Sequence, residues 1–167
     1  MKKILLISDT HGYLDDKIIK YAQSVDEIWH AGDVGDIKLI DKFKLIKPFR
    51  GVFGNIDDNQ IRKELPLNNI FTCEEVKVWI THIGGYPGKY KRRVSENLKS
   101  KNINLFISGH SHILKIIYDK KNNLLHMNPG AIGKHGFHNK RTMIRFEINE
   151  EKIENMEIIE LGNRSSL

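Results

Sequence analysis

Five short polar segments carry most of the residues in this chain that suit a metal ion. They are Asp9-Thr10-His11, Gly32-Asp33-Val34-Gly35-Asp36, Gly54-Asn55-Ile56-Asp57, Thr81-His82 and Gly109-His110-Ser111-His112. Between them they offer Asp9, His11, Asp33, Asn55, His82, His110 and His112, a set of carboxylate, amide and imidazole donors. Such ligands suit Mn, Fe, Ni or Zn rather than a soft, thiophilic ion. Cys73 is the only cysteine, so neither an internal disulfide nor a thiolate cluster can form. Taken one at a time the segments say little, because Asp and Asn after a strand commonly cap a helix or make a turn. What singles them out is where all five fall.

Each follows a short apolar run by about one to four residues. The runs at 4–7, 27–29, 51–53, 76–80 and 105–107 read as β-strands. Between the first three lie stretches with helical spacing, 15–22 and 37–45, the second closed by Pro48; a further helix is expected over 89–99. This β-α-β-α-β rhythm predicts a parallel sheet. Ligands of open α/β sheets bind beyond the carboxyl ends of the strands, so parallel strands would bring the five segments to one edge. Gly32, Gly54 and Gly109 each precede a ligand candidate, where the backbone must turn sharply or approach closely.

The second half reads differently. Residues 115–118 and 124–127 flank the polar turn 119–123, and 142–148 and 153–159 flank 149–152, giving two hairpins. These are expected to build an additional, largely antiparallel sheet. The predicted fold is α/β, two mixed β-sheets packed face to face as a sandwich with flanking helices. It forms one domain over 1–161, followed by a C-terminal tail at 162–167.

No apolar run approaches the roughly 20 residues that span a bilayer. Two lysines before 4–7 give a faint echo of a signal peptide, but the apolar stretch is too short and Asp9 follows almost at once. A first strand is the better reading, with a cytoplasmic location by default. The formal net charge of +6 favours anionic partners. Because the lysines are spread along most of the chain, solvated faces account for them better than a nucleic-acid stripe. No helix-turn-helix, RNP or zinc-finger pattern is present.

With these motifs in place, the sequence resembles the calcineurin-like metallophosphoesterases, and most closely their small single-domain YfcE-like phosphodiesterases. The resemblance runs from Asp9 to the Asn128-Pro129-Gly130 segment and the closing strands. It implies a four-layer α/β/β/α sandwich and a dinuclear centre, most often supplied with manganese. Carried over by motif, one ion would take Asp9, His11, Asp33 and His112. The other would take Asp33, Asn55, His82 and His110, with the Asp33 carboxylate bridging. Two divalent ions outweigh the charges of Asp9, Asp33 and a hydroxide, leaving a positive centre matched to a phosphodiester monoanion. A bound metal lowers the pKa of water enough to make hydroxide available as the nucleophile that attacks phosphorus.

One departure matters. Many relatives carry His after the Asn of the third motif, as acid for the leaving group; this chain has Ile56, which has no proton to give. The small branch generally lacks that His as well. A substitute is offered by Lys134-His135-Gly136-Phe137-His138, whose approach, Pro129-Gly130-Ala131-Ile132-Gly133, resembles the family's late active-site loop. His135 or His138 would then reach the phosphate or leaving group; exposed loop histidines are the plainer reading. Plain readings also fit His30 and His126 (packed histidines), Asp36 and Asp57 (turn capping or support), Trp29 and Trp79 (core), and Arg92 and Arg93 (a solvated helix face rather than a lining for an approaching anion). Residues 84–88 read as a loop at the rim, with Tyr86 facing a leaving group.

The expected substrate is a phosphodiester small molecule or nucleotide. The nearest rival activity is a phosphomonoesterase. The rival from another class is a catalytically weak interaction scaffold of the same fold, like a retromer subunit; the completeness of the seven ligand positions speaks against it. A homo-oligomer is left open.

Overall fold

The first strand shows why the chain folds in layers. β1 (Lys2–Ile7) opens on two lysines and closes on the apolar run Ile4–Ile7, which is fully buried. Ile4 and Leu6 pack on one side of the sheet, while Leu5 and Ile7 pack on the other. A strand covered on both faces has no polar side to alternate with, as central parallel strands of α/β proteins do. Burying such a side chain is worth about 1.5–3 kcal/mol.

The computed structural model describes residues 1–165. β1 is followed by α1 (Asp16–Gln23), β2 (Glu27–His30), α2 (Ile37–Ile46), β3 (Phe49–Gly51), α3 (Asn59–Glu64), β4 (Asn68–Cys73) and β5 (Val76–Thr81). Then come α4 (Arg92–Ser95), β6 (Leu105–Ile107), β7 (Leu114–Asp119), β8 (Leu124–Pro129), β9 (Lys140–Asn149) and β10 (Lys152–Asn163). They form two mixed five-stranded sheets, ordered β10-β9-β1-β2-β3 and β4-β5-β6-β8-β7.

Three cores separate the layers. Ile18, Ala22, Leu39, Ile40 and Phe43 of the first two helices pack on Leu5, Ile7 and Ile28. Ile4, Leu6, Trp29, Ile144 and Phe146 face Val78, Ile80, Leu105, Ile107 and Met127 between the sheets. Trp79 and Phe106 meet Val94 and Leu98 outside the second sheet. This is the expected face-to-face sandwich, and both tryptophans are core residues. No helix among the described residues is long and apolar enough to cross a membrane.

The strand pairing differs from expectation in a way that matters for the site. The five motif strands do not share one sheet: β1, β2 and β3 run parallel in the first, β5 and β6 in the second. Nor do the hairpins make a sheet of their own. β9 pairs antiparallel with β1, and β8 pairs parallel with β6, so each hairpin extends a different sheet. Local patterning shows that a segment is a strand but not which neighbour it meets.

Smaller differences have local causes. The helix expected over 89–99 shrinks to α4, because Ser95, Asn97 and Ser100 turn their side chains onto backbone carbonyls nearby. β3 starts and ends two residues earlier than expected. β4 was not foreseen: it is an outer strand that opens on two asparagines and alternates in exposure. α3, also unforeseen, is capped by Asp58, which accepts from the N–H groups of Gln60 and Ile61. The expected tail starts too early, since Gly162 and Asn163 still pair with Arg141 and Lys140 in β10. Ser166 and Leu167 lie outside the described residues.

Candidate metal centre

The carboxyl ends of both sheets open on the same side, and the five loops are stitched to one another there. The N–H groups of Asp9 and His11 donate to the carbonyls of Gly32 (2.9 Å) and Asp33 (3.1 Å), and that of Gly109 to His82 (3.0 Å). Across the sheets, Asp9 Oδ2 accepts from Ser8 Oγ (2.6 Å) and from the His110 N–H (3.2 Å). The Asp57 carboxylate accepts from the N–H groups of Val34, Gly35 and Gly54, so it ties the β3 loop to the β2 loop. That is the supporting role expected of it, and Asp36 caps α2 through the Lys38 N–H. A Cβ on Gly54 would run into Asp33 Oδ1 and the Asp33 backbone, which is why this position must be glycine.

The backbone is strained where the candidate ligands stand. Asp9, His11, Asp33, His110 and His112 all have φ between 45° and 69°. They are half of the ten non-glycine residues with positive φ among those described. Each costs of order 1–3 kcal/mol and persists only where the surroundings over-determine it. Together with His82, which has no such strain, these five bring their donor atoms into two groups: Asp9, His11 and His112, and Asp33, His82 and His110. In each group the donor atoms lie within 4.8 Å of one another. Asn55 joins the second through Oδ1, 3.0 Å from His82 Nε2.

Proton positions follow from the partners. The Ala31 carbonyl can only accept, so His82 Nδ1 carries the hydrogen (2.8 Å). His82 Nε2 then faces Asn55 Oδ1 and, at 3.2 Å, Asp33 Oδ1. Either a proton on Nε2 or a cation between the ring and the oxygens can answer them. Burial opposes charge on His82, but its contact with Asp33 and the charges of Asp9 and Asp33 outweigh that and raise its pKa. Asp33 answers in the other sense: burial works against its charge, yet His82 and the Ile56 N–H hold its pKa below the usual value.

A second chain of bonds runs through His138. Its Nε2 donates to the Gly133 carbonyl (3.0 Å), leaving Nδ1 as an acceptor 3.1 Å from His112 Nδ1. His112 Nδ1 therefore carries the hydrogen, and Nε2 presents its lone pair 3.0 Å from Asp9 Oδ1, without the alignment of a hydrogen bond. Asp9 Oδ1 and His11 Nε2 are buried and have no hydrogen-bond partner. Buried polar atoms are nearly always paired, so these two mark a place built for something else. An oxygen- and imidazole-lined gap with orphaned donors fits a divalent cation of the kind the sequence suggests.

His135 is exposed and stands with its ring 4.9 Å from that of His11, in the same cleft as Ile56 and Phe137. Of the two loop histidines it alone opens into the site, since both nitrogens of His138 are engaged. His30 is a core histidine. Its Nδ1 accepts from the Gly32 N–H, its Nε2 donates to Thr10 Oγ1, and burial pushes its pKa down to about 4. His126 is likewise buried, stacked on Phe106, with its pKa pushed down to about 4. The 84–88 loop borders His110, but Tyr86 is held between Lys115 and His126 as a wall.

Sequence reasoning leaves Arg62 unnoticed and gives Arg93 the plainer of two readings, a solvated helix face. Arg92 is 91% exposed and paired with Glu96, as a solvated helix residue should be. Arg93 turns inward and borders Asn55 and His82, together with Arg62 of α3. Nothing in the local pattern separates Arg93 from its neighbour except helix phase, and α4 is too short to read reliably.

With this geometry established, the family can be given. The model of the calcineurin-like phosphoesterase superfamily domain matches residues 1–151. The chain belongs to the calcineurin-like phosphoesterase superfamily. It is similar to a probable metallophosphoesterase of Methanocaldococcus jannaschii, 30% identical over 132 residues, which is 75% of this chain. That match spans 66% of the archaeal protein's length. Among solved structures it is similar in fold to wild-type Vps29 of Entamoeba histolytica complexed with Zn²⁺ (TM-score 0.74, 14% identity, 98% and 99% of the two chains). A predicted phosphoesterase of Streptococcus pneumoniae is also similar (TM-score 0.66, 20% identity, 95% and 97%). The chain has the metallophosphatase fold of these neighbours and carries two candidate metal triads at the carboxyl ends of its strands.

Proposed function

We propose that this chain is a phosphodiesterase working with two divalent ions, Mn²⁺ first among them, in the cytoplasm. Asp9, His11, Asp33 and His112 would hold one ion, and Asp33, Asn55, His82 and His110 the other. The observation that carries the reading is the pair of buried, unpartnered atoms Asp9 Oδ1 and His11 Nε2, set among two groups of carboxylate and imidazole donors that each fall within 4.8 Å. When bound, the ions supply Lewis acidity at a phosphoryl oxygen and lower the pKa of water towards neutrality.

The chain's own residues favour a diester. With only two carboxylates facing the gap, a monoanionic phosphate suits the site. Ile56, 47% exposed, and the fully exposed Phe137 flank the cleft that contains His11, Asp33 and His110. They offer apolar contact to two ester arms, which a phosphomonoester does not have. His135 is the one imidazole positioned to pass a proton to a leaving oxygen.

Protein stripped with EDTA is expected to hydrolyse bis(p-nitrophenyl) phosphate when Mn²⁺ is returned, and to turn over p-nitrophenyl phosphate more slowly. A preference for the monoester would replace this reading with a phosphatase. Stoichiometric metal binding without turnover of either ester would leave the scaffold role that the fold also serves. In the same assay His135→Ala should slow an alkyl-leaving-group diester more than the nitrophenyl one, whose leaving group needs no proton. Equal slowing would remove His135 from the acid role.

A further inference from the structure

A cleft of about 480 Å³ opens beside Asn55 and His82, on the flank of the centre away from His135. Its walls are of two kinds. Phe53, Leu67 and Ile83 are apolar, and Arg62, Lys91 and Arg93 are cationic. Among the described residues none of the three cations has a carboxylate within 4.0 Å. The fourth cation at the rim, Arg92, is neutralised by Glu96 and does not count.

The two guanidinium groups are held in place by neutral acceptors. Arg62 Nε donates to the Asp57 carbonyl (2.7 Å), and Nη2 to those of Gly54 and Asn55 (3.2 Å each). Its face lies 4.5 Å from the centre of the Phe53 ring. Arg93 Nη1 donates to Asn68 Oδ1 (3.0 Å), and Nη2 to Thr81 Oγ1 (2.9 Å) and the Ile83 carbonyl (2.8 Å). Neutral acceptors fix direction but leave the charge uncompensated; Arg62 is exposed to solvent, while Arg93 is half-buried and bears a desolvation cost without an anion. Arg62 Nη1 and Arg93 Nε make no hydrogen bond among the described residues, so donor capacity remains. Gathering three such charges around an apolar hollow is what recognition of an anion on an apolar body requires.

We propose that this cleft receives one arm of the diester and that the arm carries a second anionic group, a phosphate or a carboxylate, on an apolar or aromatic body. The proposal rests on the phosphodiesterase reading of the adjoining centre. One phosphate lies at the metal ligands, and the second anion meets Lys91, Arg62 and Arg93. Ile83 and Phe53 cover the body between them. Simple diesters with two uncharged arms leave these charges unanswered and are therefore poor substrates by comparison.

Equilibrium binding tests it without needing turnover. Calorimetry on the Mn²⁺-loaded chain would compare thymidine 5′-phosphate, thymidine 3′,5′-bisphosphate and a thymidine 5′-phosphate carrying a 3′-O-carboxymethyl group. The bisphosphate is expected to bind about tenfold or more tighter than the monophosphate. Lys91→Gln and Arg93→Lys should each remove most of that advantage. Lys152→Gln, at the start of β10 on the outer edge of the first sheet and at the amino-terminal end of β1, should retain it and so exclude a general charge effect. Equal gain from the carboxymethyl probe shows that the cleft reads charge, and gain from the bisphosphate alone shows that it reads phosphate. Equal affinity for mono- and bisphosphate, or an advantage untouched by both cleft variants, overturns the proposal. Diester turnover without bisphosphate preference sinks the cleft alone. Preference without diester turnover sinks the phosphodiesterase reading and leaves an anion site beside the centre.

Discussion

Asp33→Asn is expected to lower metal-restored diester turnover by about 10³-fold, the largest loss of any single substitution in the centre. Asp33 faces both groups of donors with separate oxygens: Oδ1 lies 3.2 Å from His82 Nε2 and Oδ2 lies 3.6 Å from His11 Nε2, whereas Asp9 comes only to 4.0 Å from His82 Nε2. An amide in its place supplies one neutral oxygen where a charged bridge is needed, so both halves of the site lose a ligand of full charge. Metal contributes several kcal/mol of transition-state stabilisation, and each 1.36 kcal/mol lost is a factor of ten. The fold should survive, because Asn keeps an oxygen to accept from the Ile56 N–H, now 3.1 Å from Asp33 Oδ1. Initial rates with bis(p-nitrophenyl) phosphate, metal content by mass spectrometry and a thermal melt together check this. Turnover within tenfold of the unsubstituted chain at saturating Mn²⁺ would remove Asp33 from the bridging position.

The second large effect is expected at a residue that would touch no metal. His138→Ala should weaken metal binding by about 10–100-fold, the range seen when a partner of a ligating histidine is removed. The reason is tautomeric. Gly133 fixes the hydrogen on His138 Nε2, His138 Nδ1 fixes the hydrogen on His112 Nδ1, and the lone pair of His112 Nε2 is thereby turned to the site. Without His138, His112 is free to rotate or to change tautomer. His138→Asn should restore most of the affinity, since Asn Oδ1 stands about where Nδ1 stood and still accepts from His112. Competition for Mn²⁺ against a fluorescent chelator reads this directly. If Ala binds as tightly as His, or if Asn fares no better than Ala, the relay plays no part in holding His112.

The sequence by itself determined which donor groups stand at the candidate centre. Asp9, His11, Asp33, Asn55, His82, His110 and His112 were legible because each stands just past a short apolar run, and both features are local. Their donor types already excluded thiolate chemistry and narrowed the metal. The apolar pattern of β1, β2, β5 and β6 was likewise readable, because burial on both faces concentrates apolar residues in short runs. Even the supporting roles of Asp36, Asp57 and His30 followed from residue type and position.

Only the tertiary structure decided what depends on contacts between distant segments. The sheet to which each strand belongs was one such matter. A parallel β1–β2 pair and a parallel β5–β6 pair look alike in sequence, although they stand in different layers. The division of labour between His135 and His138 was another. Two residues apart on one loop, they differ because the Gly133 carbonyl and the His112 ring happen to engage the second and not the first. Arg62 and Arg93 were the last, two arginines among many cations in a basic chain. Their meaning lies in a side-chain direction and in the absence of a neighbouring carboxylate, which are properties of packing in three dimensions that no local spacing encodes.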